Sequence, residues 1–305
     1  MRHYIAVLSF LSALLPCFST SGDMIVGTPE LVPLGPNERV TWICPYSEYM
    51  MVTTGSGVKE RWLDGTMGSG TWGPATSLDP ELPDSRDATC SPYPYGMTFF
   101  TLPTYAPDMI RCYVNSNPPP TSAIPGTWSE TYPPFFSEPG HPVQDPYFNG
   151  KNLYFTMDNT ALWVEDYNAD APVNLRFFNP RPVTTVNSFG TVRMPWVNDA
   201  GNLMILSGKT GTQTDLDLYY AVGDGTPTGW SSITKLPDSI NTAADEQLGR
   251  VSELAGYLYF ARTDGTNWTE YRASITVVPE PSTFALLAVG AIGLLGWARR
   301  RRRSP

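Results

Sequence analysis

The chain has 305 residues, and 29 acidic against 20 basic side chains leave a formal charge of −9. Six of the arginines and one glutamate lie in the terminal segments, so the body between them holds 14 basic and 28 acidic residues. That balance excludes nucleic acid and anionic membrane surfaces as partners, because both need a basic face.

The N-terminus begins with Arg2, runs through apolar residues from Tyr4 to Leu15 and breaks at Pro16. Cys17-Phe18-Ser19-Thr20-Ser21 then supplies small residues. Basic start, short apolar core and small-residue exit make a secretory signal. The core is too short for the roughly 20 residues of a membrane span. Pro16 directly before Cys17 fits a lipidation site poorly. Cleavage is expected near Ser19 or Ser21, which sets the signal at residues 1–21.

Residues 22–277 form the body. Its charged fraction is low while Pro, Gly, Tyr and Trp are abundant, a mix that favours short strands and turns over long helices. Three cysteines survive signal removal, Cys44, Cys90 and Cys112, so one thiol is left over after any single pairing. The only histidines are His3 and His141, which excludes a His-based metal site and leaves a Ser-His-Asp triad only if His141 serves.

Short β-rich runs recur roughly fifty residues apart: Met50–Thr53, Met97–Phe100, Leu153–Thr156, Leu203–Leu206 and Leu258–Ala261. Turn residues precede several of them, as in Asn149-Gly150-Lys151-Asn152 and Asn198-Asp199-Ala200-Gly201. A second strand follows most, as in Met109–Val114, Ala161–Val164, Asp217–Ala221 and Thr269–Ala273. Trp72 is followed by Leu78 and Asp87 at the offsets at which Trp230 is followed by Leu236 and Asp245. Trp128 heads a looser copy leading to Gln144-Asp145. Small sheets repeated at this period predict an all-β fold, a β-propeller of five blades. A six-bladed ring or a β-sandwich is the alternative. Pro29–Leu34 resembles the strand that opens each later unit and is expected to pair with the last blade, closing the ring.

The unit Trp230–Leu236, Ile240–Glu246 and Gly256–Ala261, preceded by Asp215–Tyr219, resembles a WD40-like PD40 repeat of TolB-type propellers. The unit from Trp72 to Val114 matches in outline, and Tyr95-Gly96 and Glu48-Tyr49 depart from the expected turn.

At the C-terminus, Pro279-Glu280-Pro281 leads into an uncharged stretch from Thr283 to Ala298, and Arg299, Arg300, Arg301, Arg302 and Arg303 follow without interruption. An uncharged helix closed by arginines predicts a transmembrane helix with the arginines in the cytoplasm. In this order the three parts resemble the PEP-CTERM sorting domain, over residues 278–305. The resemblance implies an exosortase-type transpeptidase as partner, cutting at or near Pro279-Glu280-Pro281. The precursor would be tethered at the inner membrane and the mature protein would reside in the envelope, at the cell surface or outside the cell.

Asp87, Asp145, Asp245 and Glu246 stand at repeat positions. Carboxylates lining a propeller channel can cleave glycosidic bonds, with one protonated and one ionised. A residue set by the repeat is more often a turn or capping group. Met157-Asp158-Asn159-Thr160, Asp199, Asp215-Leu216-Asp217 and Thr263–Asn267 offer oxygen ligands of the kind calcium takes, without a complete calcium motif. Tyr93, Tyr95, Tyr132, Tyr147, Trp163, Trp196 and Trp268 could stack sugar rings or pack between blades. Cys44 and Cys90 occupy matching places in successive units and are the disulfide candidates. No cofactor is otherwise indicated. The reading is an exported binding or structural module, with a polysaccharide or protein ligand. A carbohydrate-active enzyme on the same propeller is the alternative, and a TolB-like docking module is a third.

Overall fold

The structure is a computed structural model. It describes residues 23–43, 49–54, 57–64, 71–77, 86–90, 97–102, 109–115, 128–131, 140–172, 175–253, 255–278 and 290. The chain divides into two compact units, one of residues 26–275 and one of residues 1–25 with 276–305.

In chain order, β1 (Asp23–Val26) and β2 (Glu30–Leu31) come first and belong to the last sheet. Next, β3 (Arg39–Ile43), β4 (Tyr49–Thr54), β5 (Gly57–Asp64) and β6 (Thr71–Trp72) pair in sequence, and β7 (Thr76–Ser77) adds to β5. The second sheet holds β8 (Arg86–Cys90), β9 (Met97–Leu102), β10 (Met109–Asn115) and β11 (Trp128–Thr131). The third holds β12 (Val143–Phe148), β13 (Asn152–Met157), β14 (Ala161–Tyr167) and β15 (Phe177–Pro182). One helical turn, α1 (Thr184–Asn187), leads to β16 (Thr191–Val197), β17 (Leu203–Lys209), β18 (Asp217–Gly223) and β19 (Trp230–Lys235). The last sheet takes β20 (Glu246–Ser252), β21 (Tyr257–Thr263) and β22 (Trp268–Val278), with β1 and β2 both on β22.

The first strands touch in a closed cycle: β3 with β8, β8 with β12, β12 with β16, β16 with β20, and β20 with β3. That cycle makes the architecture an all-β propeller.

Two expectations about the fold are corrected. The first concerns the five blades, where the chain has four. Four blades are contiguous in the chain, and the remaining sheet is composite, because β1 and β2 are too short to make a blade and instead lie on β22. Pro29–Leu34 joins it through Glu30 opposite Arg272 and Leu31 opposite Tyr271, and Val32 N–H donates to the Glu270 carbonyl at 3.0 Å.

The second concerns the C-terminal transmembrane helix. Among the described residues no helix is long and apolar enough to cross a membrane. The uncharged stretch from Thr283 to Ala298 falls short of the roughly 20 residues a span needs, and its glycines weaken a helix. Apart from Gly290, residues 279–305 lie outside the described residues, as does the signal expected at 1–21.

Among the described residues the blades hold together through apolar side chains buried between neighbouring sheets. Along β13, Leu153 to Met157 are all buried, the near-continuous burial of a strand covered on both sides. Phe99, Ile110 and Cys112 of the second sheet pack with Phe148, Phe155 and Phe177 of the third, and Phe99 meets Phe177 edge-on at 5.6 Å. Val40, Met50 and Val52 pack in the same way against Tyr259 of the composite sheet.

Each inner strand carries a break in register. Asp145-Pro146 stands opposite one residue of β13, Met194-Pro195 opposite one of β17, and Gly249 with Leu248 opposite one of β21. Asp145, Met194 and Leu248 have φ of 52°, 52° and 57°. Left-handed backbone in Met and Leu is uncommon, so the packing imposes it. The bulge bends the inner strand and frees Pro146 and Pro195 from donating to the ladder. Gly249 is required for space, since a Cβ there would lie 2.5 Å from Ile205 Cγ2.

Candidate functional site

In four of the inner strands the residue that follows the bulge lies in or directly beside one cleft. Trp42 of β3, Tyr147 of β12, Trp196 of β16 and Arg250 of β20 hold these places. A small, shallow cleft is lined by Trp42, Ile43, Tyr147, Phe148, Trp196, Asp199, Val251 and Glu253. Trp42, Tyr147 and Trp196 are 4 %, 7 % and 5 % exposed and therefore make its floor. The rings of Tyr147 and Trp196 lie 6.3 Å apart at 53°.

Arg250 lies under this floor. Its Nε donates to the Thr41 carbonyl at 2.7 Å, and its Nη1 donates to the Met194 and Gly249 carbonyls at 3.1 and 3.0 Å. Its guanidinium carbon is 5.6 Å from the centre of the Tyr147 ring, within cation–π range. One buried cation thus ties β20 to β3 and to β16.

The rim is acidic. Asp199 stands in the turn after β16, where Asn198 Oδ1 accepts from the Asn202 and Leu203 N–H groups at 2.9 and 3.0 Å. Glu253 follows β20. Both side chains are exposed. Burial pushes the Tyr147 hydroxyl far above its usual range, Arg250 pulls it down, and Asp199 and Glu253 push it further up. Glu253 is raised by desolvation first and then by the charge of Asp199. Two carboxylates from neighbouring sheets therefore share one mouth.

Of the carboxylates singled out by repeat position, Asp145, Asp245 and Glu246 do not line this cleft. Asp145 is fully buried and paired with Arg193 of the next blade, Nε to Oδ2 at 3.0 Å and Nη2 to Oδ1 at 3.2 Å. Its N–H donates to Thr101 Oγ1 at 3.2 Å, so it joins three blades. Glu246 is buried at the start of β20, where Arg262 Nε donates to Oε1 at 2.8 Å and Thr242 Oγ1 donates to the same atom at 2.7 Å. Burial raises its pKa against the pull of Thr242 and Arg262. Asp245 accepts from the Leu216 N–H at 2.7 Å, a loop cap. The side chain of Asp87 lies outside the described residues, as do Cys44 and the side chain of Cys90. Cys112 is a free, buried thiol.

The Asp/Asn loops are largely turned on themselves. Asp158 and Asn159, at φ 56° and 58°, form the β13–β14 hairpin turn, and the Asp158 carboxylate meets His141 Nδ1 at 2.8 Å. Asp264 accepts from the N–H groups of Thr266 and Asn267 at 2.8 and 2.7 Å. Asp217 pairs with Lys235 at 2.7 Å. Among the described residues no group of three or more His, Cys, Asp or Glu could hold a metal ion.

Residues 277–303 match the PEP-CTERM protein-sorting motif. This motif signals export to the cell envelope or surface. No curated protein matches the chain. The propeller is similar to a thermostable family-43 glycoside hydrolase, at 12 % identity and a TM-score of 0.54, over 85 % of this chain and 96 % of that one. It is similar to an endo-arabinase from Bacteroides thetaiotaomicron at 15 % identity and a TM-score of 0.51, over 83 % and 98 %. An exo-β-1,3-galactanase from Phanerochaete chrysosporium, solved with β-1,3-galactotriose, matches at 8 % identity and a TM-score of 0.51, over 84 % and 67 %. At such identities the likeness is one of fold.

Two features of the cleft escaped the sequence. Glu253 stands in no motif, and Trp42 lies outside the Leu-Tyr-Phe runs. Aligning the inner strands on their bulges places Trp42 with Tyr147 and Trp196, and that alignment needs the register.

Proposed function

We propose that the chain is an exported envelope protein, processed by an exosortase-type transpeptidase at Pro279-Glu280-Pro281, whose propeller binds a saccharide at the mouth of the ring. The observation that carries the binding site is the aromatic floor of Trp42, Tyr147 and Trp196, one side chain from each of three inner strands. The ring edges that reach the mouth offer apolar contact to a sugar. The solved structures that share the fold include an endo-arabinase and an exo-β-1,3-galactanase. The PD40-like unit Trp230–Ala261 supports a TolB-type kinship for the same blades. A glycan array probed with the purified full chain tests the binding reading. Saccharide binding that is weakened by Tyr147→Ala supports it, and binding to no saccharide overturns it.

A second reading, glycoside hydrolysis, is favoured by the Asp199 and Glu253 pair. Hydrolysis needs one carboxyl held protonated beside one ionised, and Glu253 is raised partly by Asp199. Release of reducing ends from a bound glycan, lost in Glu253→Gln, would establish this reading over simple binding.

A further inference from the structure

We infer that strand β1 is a strap on the sorting site: it holds the residues just upstream of Pro279-Glu280-Pro281 in the sheet, and cutting there waits on its release. The inference rests on the exosortase reading above and adds what controls access to the bond.

Strand β22 runs to Val278, so the motif begins at the next residue, with no linker between sheet and motif. On one side β22 is held by β21 as far as Ile275. Tyr257 stands opposite Ser274, and the Ile275 N–H donates to the Gly256 carbonyl at 2.9 Å. On the other side Glu30 and Leu31 face Arg272 and Tyr271, and the Gly27 N–H donates to the Ser274 carbonyl at 2.8 Å. The two segments run antiparallel there, so the four residues of β1, Asp23–Val26, continue along the end of β22. Residues 23–25 and 276–278 accordingly belong to one compact unit. Among the described residues β1 is the strand that fixes Thr276–Val278.

The strap is closely fitted but weak. A Cβ at Gly27 would lie 2.3 Å from Ser274 Oγ, so a glycine there lets the two backbones approach. Met24 is buried while Ile25 is 59 % exposed, and an edge strand this short stands at the low end of local stability.

A peptide bound for cutting is taken up extended, with main-chain hydrogen bonds of the kind an added strand makes. Thr276–Val278 can give that backbone to β1 or to the enzyme, and not to both at once. The chemical step is an acyl transfer. The peptide bond at the motif breaks, its acyl group passes to a nucleophile of the enzyme and then to an acceptor amine or water, and the departing tail takes up the proton on its new amine. β1 takes no part in this chemistry. It sets the population of chain open to the enzyme, and cleavage of a folded protein follows that population when opening is fast.

The test is co-expression of the full chain with an exosortase, with the processed fraction followed over time by intact mass. Ile25→Pro is the first variant. Ile25 lies two residues before Gly27 on an extended strand, so its N–H faces β22 as that of Gly27 does, and proline removes it. The pairing of Glu30 and Leu31 and the Val32 bond to Glu270 are untouched, so the ring stays closed and thermal unfolding should be unchanged. Processing should be at least about five-fold faster than in wild type. The second variant inserts about six Gly and Ser residues between Val278 and Pro279, which leaves β1 in place and carries the motif clear of it. It should be accelerated equally, and Ile25→Pro added to it should change nothing. Slow amide exchange at Thr276–Val278 should be lost in Ile25→Pro and kept in the insertion variant. Unchanged processing in both variants would overturn the inference and leave the exosortase reading standing. Acceleration by only one of them would also overturn it, because both lift the same restraint. Processing of no variant, wild type included, would remove both readings together.

Discussion

Arg250 and Thr41 are 209 residues apart in sequence, yet the Arg250 Nε donates to the Thr41 carbonyl at 2.7 Å inside the ring. Because Thr41 lies on the first inner strand and Arg250 on the last, this bond closes the cycle of inner strands. Arg250→Met would leave the carbonyls of Thr41 and Met194 without this donor. Each buried carbonyl left without its donor costs about 1–3 kcal/mol. Thermal unfolding followed by circular dichroism should show a midpoint lowered by about 10 °C. Arg250→Lys keeps the charge but not the planar fork, and should fall between the two. Equal midpoints for wild type and Arg250→Met would show that the closure does not depend on this bond.

Asp145 is a stability residue by its contacts. Its carboxylate pairs with Arg193, and its backbone is left-handed at φ 52°. Asp145→Asn tolerates that backbone, because Asn adopts it more readily than most residues. It removes only the charge. Asp145→Ala removes the partner and strains the backbone as well. With Arg193 21 % exposed, solvent screens part of the loss, and Asp145→Asn is expected to cost about 2 kcal/mol. Asp145→Ala should cost at least about 1 kcal/mol more. Chemical denaturation of both variants measures the difference, and equal costs would show that the backbone contributes nothing.

The strands were legible where burial on both faces produced apolar runs, as at Leu153–Thr156 and Leu258–Ala261. The pairing of Glu30 and Leu31 with β22 was legible because Pro29–Leu34 looks like an opening strand with no sheet of its own. The bulges were not legible, since their left-handed residue is Asp in one strand, Met in another and Leu in a third. Their misreading propagated to the candidate site. Equal spacing from Trp72 and Trp230 matched Asp87 with Asp245, whereas the strand register matches Asp87 with Asp145 and Leu248. Asp245 belongs to the loop before the inner strand. The cleft was half visible: Tyr147, Trp196 and Asp199 stood out by type, while Trp42 and Glu253 acquire meaning only from the ring.

The cysteines divide into a proposed pair and a bystander. Cys44 follows β3 directly and Cys90 ends β8, and these inner strands are in contact. In an oxidising compartment a Cys44–Cys90 disulfide is expected. Cys112 is buried in the core, and burial pushes its thiol up to about 12. It should stay reduced and resist alkylation until the fold is opened. Peptide mapping without reductant should recover the Cys44 and Cys90 peptides linked and Cys112 alone. A free Cys90 would overturn the pairing.

Glu270 predicts how stability depends on pH. It is buried on β22, where Oε2 accepts from the Val40 N–H at 3.1 Å, and Oε1 has no hydrogen-bond partner among the described residues. Burial raises its pKa to about 8, against the pull of the Val40 N–H, Arg39 and Arg250. In the unfolded chain the same group titrates near ~4.3. The folded state therefore holds the proton more tightly, and the contribution of Glu270 is complete below the unfolded value. It is lost as pH rises toward about 8, by at most ~1.4 kcal/mol per pH unit. Glu270→Gln cannot ionise but can still accept from Val40. Its stability relative to wild type should rise through that window and level off above it. Denaturation at a series of pH values measures this difference, and parallel pH profiles for the two proteins would show that Glu270 is ionised in the fold throughout.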